Sequence, residues 1–101
     1  MSVAARSNDA LLSMRRALSG VVHPQLLQAS VEVDVDAHLV RARFEYDGNP
    51  NASALEACQI AGSEIISDFP DPWRIEEEHC AVQSAGALAP LRQIAYRRSD
   101  V

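Results

Sequence analysis

An α+β fold of order α-β-β-α-β-β, with both helices packed on one face of a mainly antiparallel sheet, is predicted by three features of the sequence. Two stretches carry apolar residues at helical spacing, four show the alternation of a half-buried strand, and clusters of Gly, Pro, Asn and Asp fall between them. At 101 residues the chain has room for one hydrophobic core, and residues 1–101 read as a single domain. Area scaling gives such a chain a folded surface of about 5,600 Å². Hydrophobic residues make up 48% and charged residues 23%, the balance of a globular domain and not of a disordered segment.

Leu11, Leu12, Met14, Ala17 and Leu18 predict a first helix between Asn8 and Leu18, with Ser7 or Asn8 as N-cap and Gly20 as its stop. From Gln25 the pattern changes to alternation. Val31, Val33 and Val35 face one way and Glu32, Asp34 and Asp36 the other, as a strand with one wet face requires. A second strand from His38 to Tyr46 puts Val40, Ala42, Phe44 and Tyr46 on one face and Arg41, Arg43 and Glu45 on the other. A hairpin turning near Asp36 and Ala37 brings Arg41 and Arg43 near Glu32 and Asp34, where opposite charges across strands are mildly stabilising.

Asp47-Gly-Asn-Pro-Asn51 concentrates turn formers, and a second helix follows with the stripe Leu55, Cys58, Ala61 or Gly62, Ile65, Ile66 and Phe69, stopped at Pro70. Pro70-Asp-Pro72 then forces an extended turn into a third strand, Trp73 to Val82. Ser84 to Pro90 reads as a loop. Leu91 to Arg98 suits either a strand or a short helix, and its alternation favours the strand.

Fourteen acidic against nine basic residues give a net charge of −5, the wrong sign for a sequence-independent grip on nucleic acid. The N-terminus carries no charged start followed by an apolar run, so neither a signal peptide nor a membrane span is expected, and the reading is cytoplasmic. In that compartment Cys58 and Cys80 are expected as free thiols.

Three histidines and two cysteines invite a metal or nucleophile reading, but Cys-x-x-Cys, His-x-x-x-His and Gly-x-Ser-x-Gly spacings are absent. Cys58 sits on the apolar stripe of the second helix, where a cysteine behaves as a small hydrophobe. His79 and Cys80, adjacent on a strand, point to opposite faces. Nothing pairs a nucleophile with a base, so no enzyme, metal or cofactor is expected.

The charge is unevenly spread. Residues 32–78 hold twelve carboxylates and three arginines, a net −9, between flanks of +2 each. Such a block is commonly a solvated face. Here, however, Asp68, Asp71, Trp73, Glu76, Glu77 and Glu78 cluster around the exit of the second helix, mixing carboxylates with an aromatic of the kind that anchors interfaces. Alternation puts Glu76 and Glu78 on one side and Glu77 on the other. Trp73 has an equally good second role, closing the core beside Phe69.

Leu18-Ser-Gly-Val-Val-His-Pro24, Phe44-Glu-Tyr-Asp-Gly-Asn-Pro50, Glu64-Ile-Ile-Ser-Asp-Phe-Pro70 and Ile75-Glu-Glu-Glu78 together resemble the small immunity proteins of bacterial contact-dependent growth inhibition and related polymorphic toxin systems. The resemblance spans roughly Leu11 to Val82. It implies a non-catalytic inhibitor of a cognate toxin C-terminal domain, commonly a nuclease acting on tRNA or DNA. The acidic block agrees, because a nuclease groove must be basic to hold phosphates. The six clustered residues are then the expected partner-binding set. The alternative is a small homo-oligomeric regulatory or assembly module without a toxin partner, joined along an edge strand.

Overall fold

In the computed structural model, which describes residues 3–19, 22–83 and 85–101, the elements follow the predicted order. Helix α1 runs from Val3 to Leu18, strand β1 from Leu26 to Asp34, β2 from Leu39 to Asp47, helix α2 from Ala52 to Ser67, β3 from Arg74 to Val82 and β4 from Gln93 to Arg97. A single turn of 3₁₀ helix, Ala85–Ala87, interrupts the connection between β3 and β4.

Helix α1 begins five residues earlier than its apolar stripe suggests, so Ser7 and Asn8 lie within it and do not cap it. Val3-Ala-Ala-Arg6 contains two alanines, the best helix formers, and carries the helix back beyond the apolar stripe. Gly20, the expected stop, lies outside the described residues. Helix α2 starts as expected: Asn51 is its N-cap, and its side-chain oxygen accepts the Ala54 N–H at 2.9 Å. Asp68 closes it, two residues before Pro70.

The sheet order is β3-β2-β1-β4. β1 pairs antiparallel with both β2 and β4, while β2 and β3 run parallel. The parallel pair follows from the connection between them, since a strand, a helix and a second strand close most readily as a crossover unit. In the β1–β2 hairpin Glu32 stands opposite Arg41, as expected, but Arg43 stands opposite Ser30 and Asp34 opposite Leu39. Asp34 instead accepts the Ala37 N–H at 3.1 Å and closes the turn, where His38 adopts φ 51°.

Both helices cover the same face of the sheet. Met14 and Leu18 from α1, Cys58, Ala61 and Ile65 from α2, and Val40, Ala42, Phe44 and Tyr46 from β2 meet in one core with Ala29 and Val31 of β1. The exposed area is 5449 Å², close to the scaling value and consistent with that single core. Cys58 and Cys80 are free thiols separated by the sheet: Cys58 lies in the core, and Cys80 stands opposite Glu45 on the other face.

That other face is only partly open. β3 and β4 occupy the two outer edges, so the chain between them has to cross the sheet. It does so over β2 and β1: Ala89 N–H donates to Glu45 Oε2 at 2.7 Å, Arg43 donates to the Ala89 carbonyl, and Leu91 N–H donates to Ser30 Oγ at 2.8 Å. Glu45, predicted to face water, is therefore 2% exposed. Gln28 lies beside it, donating to Glu45 Oε1 at 3.0 Å and accepting from Arg97 Nε at 2.6 Å. Gln28 and Glu45 thereby satisfy one another and the segment that covers them, while among the described residues Arg43 Nε and Gln93 Oε1 are buried without a partner.

Candidate functional site

The six clustered residues fall into three settings. Glu76 and Glu78 project from β3 on the face away from the helices. Arg41 of β2 lies between Glu32 (3.5 Å) and Glu76 (4.0 Å), and Arg43 Nη2 donates to Glu78 at 3.2 Å. One row of the sheet thus reads Glu32, Arg41, Glu76, a cation shared by two carboxylates. The pairs are half-exposed, so each contributes about 1 kcal/mol or less to stability, and their main effect is to fix where the carboxylates stand.

Glu77 points to the helix side. Its carboxylate lies against the backbone of Gly62 in α2 and contacts His79 Nε2 at 3.0 Å. His79 in turn meets the Tyr46 hydroxyl through Nδ1 at 2.7 Å. Burial above all, and then the contact with Cys58, hold Tyr46 protonated far above the usual phenol range. Burial likewise raises the Cys58 thiol. This Tyr46–His79–Glu77 chain is absent from the sequence reading. Its signal was the parallel register that sets Phe44 beside His79 and Ala42 beside Glu77, which alternation within one strand does not reveal.

Asp68, Asp71 and Trp73 form the third setting, the corner between α2 and β3. Asp68 ties α2 to α1, accepting from Ser13 Oγ at 2.6 Å and Arg16 Nη2 at 2.9 Å. Those bonds, Ser13 foremost, hold its carboxyl below the usual carboxylate range. Asp71 is exposed in the turn. Trp73 is half-buried: its ring lies 5.2 Å from that of Phe69 and 5.5 Å from that of His38, with the Arg6 guanidinium 5.3 Å from its centroid. It closes one end of the core with one edge left to solvent.

The corner also joins the hairpin turn. Arg74 N–H donates to His38 O at 3.0 Å, and the Arg74 side chain reaches Ala37 O at 3.2 Å. Asp36 and Asp71 are therefore brought to the same end of the molecule. Among the described residues no group of three or more His, Cys, Asp or Glu could hold a metal ion. The described helices include none long and apolar enough to cross a membrane.

The chain is a small helix-on-sheet domain whose charged side chains hold one another in place along one face of the sheet. The comparison with known families defines it further: the model of the family described as MafI2 immunity protein matches residues 7–100, and the chain belongs to that family. It is an immunity-type protein of a bacterial toxin system, with a binding and not a catalytic role, and its partner is a cognate toxin. No curated protein matches the chain.

Proposed function

We propose that the chain neutralises a nuclease toxin domain by presenting fixed carboxylates to the basic groove in which the toxin holds nucleic acid. The observation that carries this reading is the setting of Glu76 and Glu78. Two residues apart on one strand, their side chains leave the sheet about 7 Å from each other on the same face. Each has an arginine holding it from β2. Side chains already fixed lose little freedom on docking, and a fixed acidic row attracts a surface built to bind phosphates. Arg41 serves two carboxylates, so its row keeps a net negative charge.

Asp71 and the open edge of Trp73 lie at the corner where β3 begins, Trp73 on the helix side of the sheet and so off the face that carries Glu76 and Glu78. Asp68 contributes mainly by fixing the corner through α1, and Glu77 by packing β3 against α2. The net charge of −5 argues that the chain contacts the toxin and not its nucleic acid. The encounter belongs in the cytoplasm, where tRNA and DNA are available to the toxin, and it needs no cofactor.

The test is to co-express the tagged chain with the C-terminal domain of the protein encoded immediately upstream. Affinity is then measured for the native chain and for the double variant Glu76→Gln/Glu78→Gln. Glutamine is preferred to arginine because Arg41 and Arg43 stand beside both positions and charge reversal would strain the sheet. The expected result is a one-to-one complex that silences the nuclease, weakened about tenfold or more in the variant with a smaller salt dependence. Unchanged affinity in the variant would reduce the acidic row to solvated surface. Separate elution without protection would overturn the proposed neutralisation of a nuclease domain.

A further inference from the structure

β3 is an outer strand of the sheet, nine residues long, and pairs with β2 over its whole length without a bulge. The two ends of that pairing fix which backbone groups are used. Arg74 N–H donates to His38 O at the start, and Val82 O accepts from Gly48 N–H at the end, both at 3.0 Å. In a parallel ladder the same alternate residues keep turning inward, so Arg74, Glu76, Glu78, Cys80 and Val82 bond to β2. Ile75, Glu77, His79 and Ala81 then turn their N–H and C=O groups away from the sheet. Among the described residues these outward groups have no hydrogen-bond partner. A long, regular, unpaired edge is a template for another strand.

The charges on β3 decide which strand it accepts. A second copy of this chain, paired antiparallel about Glu77, would set Glu76 of one copy opposite Glu78 of the other and Glu77 opposite itself. Pairing two copies parallel and in register stacks all three glutamates on themselves. Like charges directly opposite are destabilising, so the edge is protected against itself. The segment from Arg74 to Val82 carries a net −2, and a strand with Arg or Lys opposite Glu76 and Glu78 meets it with opposite charge. We infer that β3 is extended by one strand of the cognate toxin, a segment with basic residues at alternate positions, so that main-chain hydrogen bonds supply affinity and Glu76 and Glu78 set the register. This rests on the toxin-binding reading above and adds the backbone edge as its means.

The test is residue-resolved amide hydrogen exchange on the full chain, alone and with the C-terminal domain encoded immediately upstream. In the free chain the Ile75, Glu77, His79 and Ala81 amides are expected to exchange about tenfold or more faster than those of Glu76, Glu78 and Cys80. In the complex the four fast amides slow to the rate of their neighbours. A complex in which they stay fast overturns the strand-extension inference and leaves toxin binding standing, whereas absence of any complex overturns both. The variant Ala81→Pro removes one outward N–H and leaves the pairing with β2 intact. It is expected to weaken the complex about tenfold with an unchanged circular dichroism spectrum, and full affinity in the folded variant counts against the inference. Self-association of the free chain through β3, detected by sedimentation at high concentration, would equally overturn the selection by charge.

Discussion

The carboxylate of Glu77 occupies the space that a Cβ on residue 62 would fill. Gly62 lies in the interior of α2, where glycine costs about 1 kcal/mol relative to alanine, and it is buried. The lost propensity is exchanged for a close approach of helix and strand that lets Glu77 reach His79. Gly62→Ala is expected to displace Glu77. Its cost should be greater in the native background than with Glu77→Ala, by a coupling of about 1 kcal/mol. Urea denaturation of the four proteins in the cycle measures that coupling, and additivity would show that Glu77 moves aside freely.

Glu45 is the pivot of the covered half of the sheet. Glu45→Ala leaves Gln28 Nε2 and Ala89 N–H without their acceptor in a dry site, and a loss of about 2–4 kcal/mol is expected. Glu45→Gln keeps the shape and one acceptor oxygen and should cost less. Denaturation midpoints of both variants give the comparison. Faster exchange of the Ala89 and Leu91 amides in Glu45→Ala would show the crossing segment lifting from the sheet.

Asp68 makes stability depend on pH at the acid end. Its folded carboxyl titrates below its unfolded value, so its contribution is fully present above about pH 4 and is lost as pH falls through the folded value. The carboxylate is 44% exposed, which limits the tie to about 1 kcal/mol. Asp68→Asn should be less stable than the native chain by that amount at pH 7. The difference should disappear near pH 2, as read from thermal melts at the two values.

Tyr46 acts at the alkaline end. Its pKa is raised in the fold, so the stability it contributes is complete below about pH 10 and declines as pH rises beyond that. Phenolate absorbance from Tyr46 is expected to appear together with unfolding, and titration in the intact fold would contradict its burial. The two thiols offer a parallel measurement. Cys58 should label with iodoacetamide only on unfolding, whereas the half-buried Cys80, whose thiol is also raised by burial, should label slowly in the native chain.

The element order was legible because each segment advertises itself locally. Val40, Ala42, Phe44 and Tyr46 alternate into the core as their spacing predicts, Asn51 caps α2 where the turn formers end, and Gln93–Arg97 takes the strand that its alternation favoured. The separation of Glu76 and Glu78 from Glu77 also followed from strand geometry alone. The sequence also carried the immunity resemblance, in motifs spread from Leu18 to Glu78.

Contacts between elements were not written in any one segment. Glu45 reads as a wet strand residue until the crossing from β3 to β4 buries it, and Arg43 reads as a partner for the hairpin until the parallel register gives it Glu78. Periodicity reports which side of its own strand a residue takes. Which strand lies alongside, and what passes over the face, depend on chain segments tens of residues away. The sequence by itself therefore determined the elements, their faces and the excess of carboxylates around β3. Only the tertiary structure decided which of those carboxylates are held by arginines, which one packs against α2, and which backbone edge is left open.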